Sequence, residues 1–295
     1  MFKPSFLSLA WALVIMLMMT QVVHAADHGP LFGLGAPTNP KGGASVNIGW
    51  SGRNGGGGVV SAVQAELSYG LTENLKLAFS TPVASKGRCS SCAASGGDAY
   101  PRSSITLNTP ISRDFSGLAW WRFQRKDLAG KRIESTAFGG ILIPGPQLEP
   151  GPFRNLNSGP GYMVGGVTGI ASRSQYFWVG ASYQRYAESK GDRRPDLLSY
   201  SAVYGYRPFS WRTDYPRWDW RLFAEFTGER TGSIHRLGLE APGSRARQLY
   251  LGPSILAVYR AIGIGAGMQF PLYRDVGSVY PKERYRFAVN FACFF

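Results

Sequence analysis

The sequence predicts an all-β chain that closes into a transmembrane antiparallel β-barrel of the bacterial outer membrane, with about twelve strands. Three observations carry this prediction. The chain begins with an apolar leader, its composition is rich in aromatic residues and glycine, and many of its segments alternate between apolar and polar side chains. Each observation is weak by itself, but an alternating pattern repeated through an exported chain is typical of barrels.

The N-terminal residues 1–25 have the pattern of a secretory signal peptide. Lys3 gives a basic start, an apolar run follows, and the stretch ends in Val23, His24 and Ala25. The run barely reaches the roughly 20 residues of a membrane-spanning helix, so we expect cleavage after Ala25 rather than a retained anchor. Residues 26–42 are then expected to form a periplasmic segment ahead of the barrel.

The composition also favours a barrel. Aromatic residues make up 14% of the chain and charged residues only 17%, below the roughly 25% of soluble domains. Aromatic groups such as Trp120-Trp121 and Tyr176-Phe177-Trp178 are typical of the girdle at a membrane interface. The net charge of +14 comes from scattered residues without a Lys/Arg-rich run, which indicates contact with anionic lipid rather than nucleic acid.

The clearest alternation lies at the C-terminus, in the segment RYRFAVNFACFF. Its apolar face comprises Tyr285, Phe287, Val289, Phe291, Cys293 and Phe295. The intervening residues are small or polar except for Phe294, as expected for one lipid face and one lumen face. The segments VSAVQAELSY, NLKLAFST, WRLFAEFT and IGIGAGMQF repeat the pattern. The closing Phe295 resembles the signal by which the barrel assembly machinery recognises its substrates.

Residues 43–295 are predicted to form the barrel. Strands are expected at 43–51, 59–70, 74–83, 117–126, 131–143, 161–172, 175–187, 196–207, 217–229, 247–259, 262–273 and 284–295. This division puts short turns on the periplasmic side and long loops outside, as barrels require. Residues 103–111 also have strand character. A thirteenth strand would break the even number, so we assign them to a long outer loop at 84–116.

Five stretches carry a family resemblance: AELSYGLTENLKLAFSTPV (65–83), FGGILIPG (138–145), SYSAVYGYRPF (199–209), LYLGPSILAVYR (249–260) and GAGMQFPLYRD (265–275). They resemble the outer-membrane barrels of the MetA-pathway-of-phenol-degradation family, which are regarded as transporters. The resemblance implies an outer-membrane channel with aromatic or other hydrophobic small molecules as substrates. It brings no catalytic motif.

The predicted inward face contains a set of polar and charged candidates for a pore lining: Glu66, Lys76, Arg122, Gln124, Arg221, Glu225 and Arg286. Rings of inward charge set ion preference in a pore, and the basic excess predicts a mild preference for anions. The alternative is a structural barrel, in which these charges pair and fill a closed lumen.

The pair Cys89 and Cys92 falls in the long outer loop. Cys293 is predicted to face lipid near the opposite end of the barrel, so the three cysteines are not expected to meet. An oxidising location favours a Cys89–Cys92 disulfide that stiffens the loop. Capture of a soft ion such as Cu(I) or Hg(II) by the two thiolates remains the alternative, whereas zinc normally takes four ligands. Whether the chain holds a metal is left unknown.

His235 is the candidate base of a possible outer-membrane hydrolase, because it lies two residues after Ser233. A loop histidine without catalytic role explains the same residue, and we expect no enzyme. The prediction is therefore a monomeric channel that needs no cofactor. Its partners are expected to be outer-membrane lipid and lipopolysaccharide, the barrel assembly machinery and a small-molecule substrate, but no nucleic acid.

Overall fold

The fold was examined in a computed structural model, which describes residues 29–55, 58–87, 114–144, 158–211, 217–278 and 282–295. In chain order the strands are β1 (Ala44–Gly55), β2 (Gly58–Gly70), β3 (Leu75–Gly87), β4 (Phe115–Leu128), β5 (Lys131–Ile143), β6 (Ser158–Ser172), β7 (Gln175–Glu188), β8 (Leu197–Tyr206), β9 (Asp219–Thr231), β10 (His235–Arg236), β11 (Leu239–Glu240), β12 (Ala246–Tyr259), β13 (Ile262–Val276) and β14 (Glu283–Phe294). A 3₁₀ turn covers Phe209–Trp211.

Twelve of these strands close into one antiparallel barrel, which confirms the predicted fold class. Each strand pairs with its neighbours in the chain, and β9 pairs directly with β12 because β10 and β11 form a separate small hairpin. The ring closes between β1 and β14, where Ser45 lies opposite Phe294. Two backbone hydrogen bonds between Ala44 and Phe295 extend this closure, at 3.0 and 2.8 Å.

Side chains alternate between a buried and an exposed face along the strands. On β14, Arg286, Ala288, Asn290 and Ala292 are buried, whereas Val289 and Phe291 are exposed. Exposed aromatic residues continue around the barrel and include Trp50, Phe79, Trp121, Tyr204 and Phe270. An apolar outer surface of this kind is the face that a barrel presents to lipid. In the described ranges no helix is long and apolar enough to cross a membrane.

The two ends of the barrel differ in the length of their connections. At one end the strands are joined by short turns, such as Ala129-Gly130 between β4 and β5 and Arg173-Ser174 between β6 and β7. The connection between β8 and β9 is the longest at this end. The long-connection end carries the segments after β3, β5, β7, β9 and β13. In outer-membrane barrels the long connections face outward. The predicted division of short and long segments is found here except between β1 and β2, which only two residues join at the long-connection end.

Predicted strand limits agree with the observed ones to within a few residues. β3 runs four residues further than expected, to Gly87, so the loop predicted from residue 84 begins later. Residues 103–111, the segment with strand character, lie outside the described residues.

Candidate functional site: a strap through the barrel lumen

A segment ahead of the first strand lies inside the barrel. We call residues 31–39 the lumen strap; its members Leu31, Phe32, Leu34, Ala36, Thr38 and Asn39 are all buried. The strap enters at the short-turn end, where Gly42 donates a backbone hydrogen bond to Gly70 at 2.8 Å. The sequence assigned residues 26–42 to the periplasm, and the structure differs because the barrel interior offers the strap both apolar contacts and hydrogen bonds.

The carboxylate of Glu225 on β9 holds the start of the strap. It accepts backbone hydrogen bonds from Leu31 at 2.9 Å, Phe32 at 2.7 Å and Gly33 at 2.7 Å. Ser254 on β12 donates a further hydrogen bond to the same group. Among the described residues no Lys or Arg pairs with Glu225, so amide and hydroxyl groups alone solvate this buried carboxylate.

Three further strands bind the rest of the strap. The Leu34 amide donates to Ser201 Oγ on β8 at 3.0 Å, and Thr136 Oγ1 on β5 donates to the Ala36 carbonyl at 2.7 Å. Asn39 Nδ2 donates to Ser68 Oγ on β2 at 2.8 Å. The strap is therefore tied to strands all around the ring rather than lying against one side.

Glycines on β13 make room for the strap side chains. A Cβ at Gly265 would lie 3.3 Å from the nearest atom of Leu31, and a Cβ at Gly267 would lie 3.0 Å from the Phe32 ring. Glycine in a strand often marks the close approach of another chain segment. The alternating glycines of IGIGAG thus form a shallow channel in the wall that receives Leu31 and Phe32.

The lumen has two unlike walls. One, which we call the aromatic wall, is formed by buried apolar residues of the adjacent strands β4 to β9: Leu118, Trp120, Phe138, Leu142, Met163, Val167, Trp178, Val203 and Phe223. The Trp120 and Phe138 rings stack with their centroids 4.0 Å apart. Trp120 and Trp178, expected at the membrane interface, lie inside; only Trp121 and Phe177 of those groups are exposed.

The opposite wall is polar. It consists of buried side chains from β13, β14, β1 and β2: Gln269, Arg286, Asn290, Ser45, Asn47, Ser51, Arg53, Gln64, Glu66 and Ser68. The strap lies between the two walls, where all its residues named above are buried. One residual cavity beside Phe32 and Leu34 has a volume of about 20 Å³, which is enough for about one water molecule.

The predicted pore-lining residues fall into different environments. Glu66, Lys76, Arg122, Glu225 and Arg286 are buried, and Arg221 is half-buried at the short-turn end, where it pairs with Asp219 at 3.0 Å. Lys76 Nζ lies 5.1 Å from the centroid of Trp120. Arg122 forms an ion pair with Glu134 at 3.2 Å.

Gln124 departs from the alternation that predicted its inward position. A bulge between Arg122 and Gln124 leaves Phe123 without a partner across the ladder, and Gln124 is exposed. It accepts a hydrogen bond from Ser135 Oγ at 2.9 Å. A single extra residue shifts every following side chain to the other face, and this explains the difference.

Arg286 is the centre of a buried ion network near the long-connection end. Its guanidinium contacts Glu229 through two hydrogen bonds of 2.6 and 2.8 Å and Glu283 through two of 2.7 and 3.4 Å. Arg53 on β1 reaches Glu283 at 3.4 Å, and the Tyr250 hydroxyl donates to Glu283 at 2.6 Å. This network, which sequence reasoning detected only through Arg286, joins the first and last strands to β9 and β12.

Of the three cysteines, the structure describes only Cys293. Cys89 and Cys92 lie outside the described residues. Cys293 is half-buried and carries a free thiol. In the described part of the chain, His, Cys, Asp and Glu side chains do not gather into any group of three that could hold a metal ion.

The geometry around His235 does not form a nucleophile–base pair. The Ser233 hydroxyl donates to Glu240, and Arg245 Nε donates to Ser233 Oγ at 2.8 Å. The hydrogen bond from Ser233 lowers the pKa of Glu240, and Arg245 contributes to the same shift. The serine hydroxyl thus donates to the Glu240 carboxylate and accepts from Arg245, and it makes no hydrogen bond to His235, the base that the predicted hydrolase would use.

Solved structures with a similar fold are outer-membrane proteins. The COG4313 outer membrane channel from Pseudomonas putida F1 aligns with a TM-score of 0.57 and 14% identity, over 92% of this chain and 100% of the channel. The NanC porin aligns with a TM-score of 0.50 and 9% identity, over 85% of this chain and 99% of the porin. No family model and no curated protein sequence matches the chain, so the resemblance to the phenol-degradation family is not confirmed.

Proposed function

We propose that this protein is an outer-membrane channel for the passive passage of small molecules, with the lumen strap as its internal closure. The closed twelve-stranded barrel and its likeness to a channel and a porin support this function. The apolar outer surface supports a location in the outer membrane, which residues 1–25 would reach as a signal peptide. The proposed partners are outer-membrane lipid, and the assembly machinery acting on the Phe295 strand.

The aromatic wall carries the proposal for the substrate class. A pore for hydrated ions is lined by polar groups, whereas here one wall presents stacked rings and aliphatic side chains. Tyr176 and Trp178 add a second stacked pair with centroids 5.4 Å apart. Small aromatic or hydrophobic molecules that carry a polar group match a lumen with one aromatic and one polar wall.

Passage requires the strap to leave the space between the walls. The strap is continuous with β1 at the short-turn end, so the shortest exit leads toward that end. Its departure breaks the amide hydrogen bonds to Glu225 and uncovers the aromatic wall. A substrate that binds this wall in place of Leu34 and Ala36 would shift the equilibrium toward the cleared lumen.

The test compares the mature chain with a variant that lacks residues 29–39, both reconstituted in planar bilayers and in liposomes. We expect small, infrequent openings for the full chain and a larger steady conductance for the variant. Liposome swelling should be faster with a small aromatic acid than with a sugar of similar size. Heat-modifiable mobility on a gel verifies that both barrels are folded.

If neither protein conducts ions in the bilayer, the channel function is rejected and the closed structural barrel is favoured. Equal permeation of the aromatic acid and the sugar would reject the substrate class but leave the channel standing. Replacing Leu31, Phe32 and Leu34 by serine provides a second strap variant of unchanged length, in case the deletion impairs assembly.

A further inference from the structure

Two arginines face each other on the outer surface of the barrel. Arg230 on β9 lies directly opposite Arg247 on β12, and both side chains are exposed. Their neighbours Glu229 and Gln248 are buried on the lumen side, so the arginines point away from the lumen. The pair lies close to the long-connection end of both strands.

Among the residues that the structure describes, this pair has no counter-ion. Directly opposed like charges destabilise an antiparallel ladder. Asp275 on β13 is the register partner of Arg247, yet neither arginine forms an ion pair with any residue that the structure describes. An anion from outside the chain that contacts both guanidiniums would remove the repulsion.

The position of the pair along the barrel corresponds to the level of lipid headgroups. On the same outer face, Tyr200 and Tyr273 lie two residues closer to the middle of the barrel than the two arginines do. These tyrosines are 38% and 50% exposed. Exposed tyrosines of this kind mark the membrane interface. The arginines therefore lie just beyond the interface, where the phosphate groups of lipids are found.

A cleft next to the pair is large enough for more than a phosphate. It has a volume of about 800 Å³ and is lined by Arg230 and Arg247, by residues of the β9–β12 connection, among them Ser233, Glu240 and Arg245, and by Asp275 of β13. Arg245 is already paired with Glu240 at 2.8 Å, so the cations left for a ligand are Arg230 and Arg247. Two arginines at the edge of a cleft of this size suit the phosphate group of a phosphorylated sugar.

We propose that Arg230 and Arg247 bind the phosphate group of a glycolipid headgroup in the outer leaflet. The planar guanidinium groups match the oxygen atoms of a phosphate, and the cleft accepts the sugar that carries it. The inference requires the barrel to lie in the outer membrane but is independent of whether the lumen conducts.

The experiment measures binding of bisphosphorylated lipid A to the full mature protein in a nonionic detergent, by native mass spectrometry. The double variant Arg230→Gln/Arg247→Gln is compared with the control Lys126→Gln/Lys131→Gln, which removes the same charge from exposed residues at the opposite end. We expect binding to weaken by about 25-fold in the arginine variant, about fivefold for each arginine, and to stay unchanged in the control.

The second readout is the unfolding temperature, measured with and without lipid A. Without lipid A, the arginine variant should unfold at a slightly higher temperature than the wild type, because the like-charge repulsion is gone. Added lipid A should stabilise the wild type more than the variant.

Three results would overturn the proposal. They are equal binding by the arginine variant and the wild type, equal loss in the lysine control, and equal binding of lipid A from which both phosphates have been removed. Inorganic phosphate that stabilises the wild type as much as lipid A does would show a site for a free anion, and the lipid assignment would fall.

Discussion

The carboxylate of Glu225 accepts a hydrogen bond from the backbone amide of Gly33 at 2.7 Å, although 192 positions separate the two residues in the chain. The bond joins the middle of a barrel strand to a segment that precedes the first strand. Two adjacent amides share the same carboxylate. A single side chain therefore fixes the start of the strap, and its chemistry can be altered without touching the aromatic wall.

Glu225→Gln should loosen the strap. The glutamine amide group places a donor where an oxygen stood, so at least one of the three strap amides loses its acceptor. A buried unpaired amide costs about 1–3 kcal/mol, which corresponds to a roughly 5- to 150-fold larger population with the strap displaced. Single-channel recordings should show this as a higher open probability. Glu240→Gln, at an exposed carboxylate in a connection, should leave the recordings unchanged, and an unaltered open probability in Glu225→Gln would contradict the role of Glu225.

Gly265→Val should displace the start of the strap, because the valine side chain occupies space that Leu31 now fills. The three atoms nearest to the position where its Cβ would be all belong to the Leu31 side chain, so the added methyl groups press first on the strap. Hydrogen exchange at the amides of Leu31 and Phe32 should accelerate by at least about tenfold. Gly166→Val is the matched control, because its Cβ would meet only the Thr136 carbonyl at an ordinary 3.5 Å. Equal protection in both variants would show that Leu31 does not pack against this glycine.

Arg286→Met should destabilise the barrel strongly. The substitution leaves the carboxylates of Glu229 and Glu283 buried without their main cation, and breaking a buried pair in this way costs about 3–5 kcal/mol. Urea unfolding followed by tryptophan fluorescence measures the loss. Arg132→Gln breaks the exposed pair with Asp127 at 2.7 Å and should cost less than about 1 kcal/mol. Similar midpoints for the two variants would mean that the network contributes little.

The loop cysteines should form a disulfide. Alkylation of the unfolded, unreduced protein is then expected to modify Cys293 alone, and prior reduction should make Cys89 and Cys92 reactive as well; intact mass reads both results. The double variant Cys89→Ser/Cys92→Ser should leave cells as sensitive to mercuric ions as the wild type. Altered sensitivity, together with three reactive thiols before reduction, would favour capture of a soft metal.

The barrel wall could be predicted from the sequence because its signal is local. Alternation in segments such as RYRFAVNFACFF directly reports which side faces lipid, and the observed strands follow it closely. The outward position of the Gln124 side chain could not be predicted, because a one-residue bulge is not visible in the pattern of apolar residues.

The strap escaped prediction for a different reason. The stretch GPLFGLGAPTN shows no periodic alternation of apolar and polar residues. Its hydrogen bonds go to Glu225, Ser201 and Thr136, which are far away in the chain. One signal was present in IGIGAG, where the inward position of alternate glycines leaves room for another segment. Trp120 was misplaced because an aromatic residue at the end of a strand fits an interface and an occupied lumen equally well.

The aromatic wall has a consequence for how the barrel stays folded. If the rings of this wall were exposed to water, the protein would lose much of the hydrophobic stabilisation that soluble proteins obtain from a core. The strap supplies that core from the protein's own N-terminus. In the proposed channel, permeability and stability are therefore opposed, since each departure of the strap removes part of the hydrophobic core. A substrate that keeps the lumen clear must offer the same contacts as the strap, with apolar surface toward one wall and hydrogen-bond donors toward Glu225.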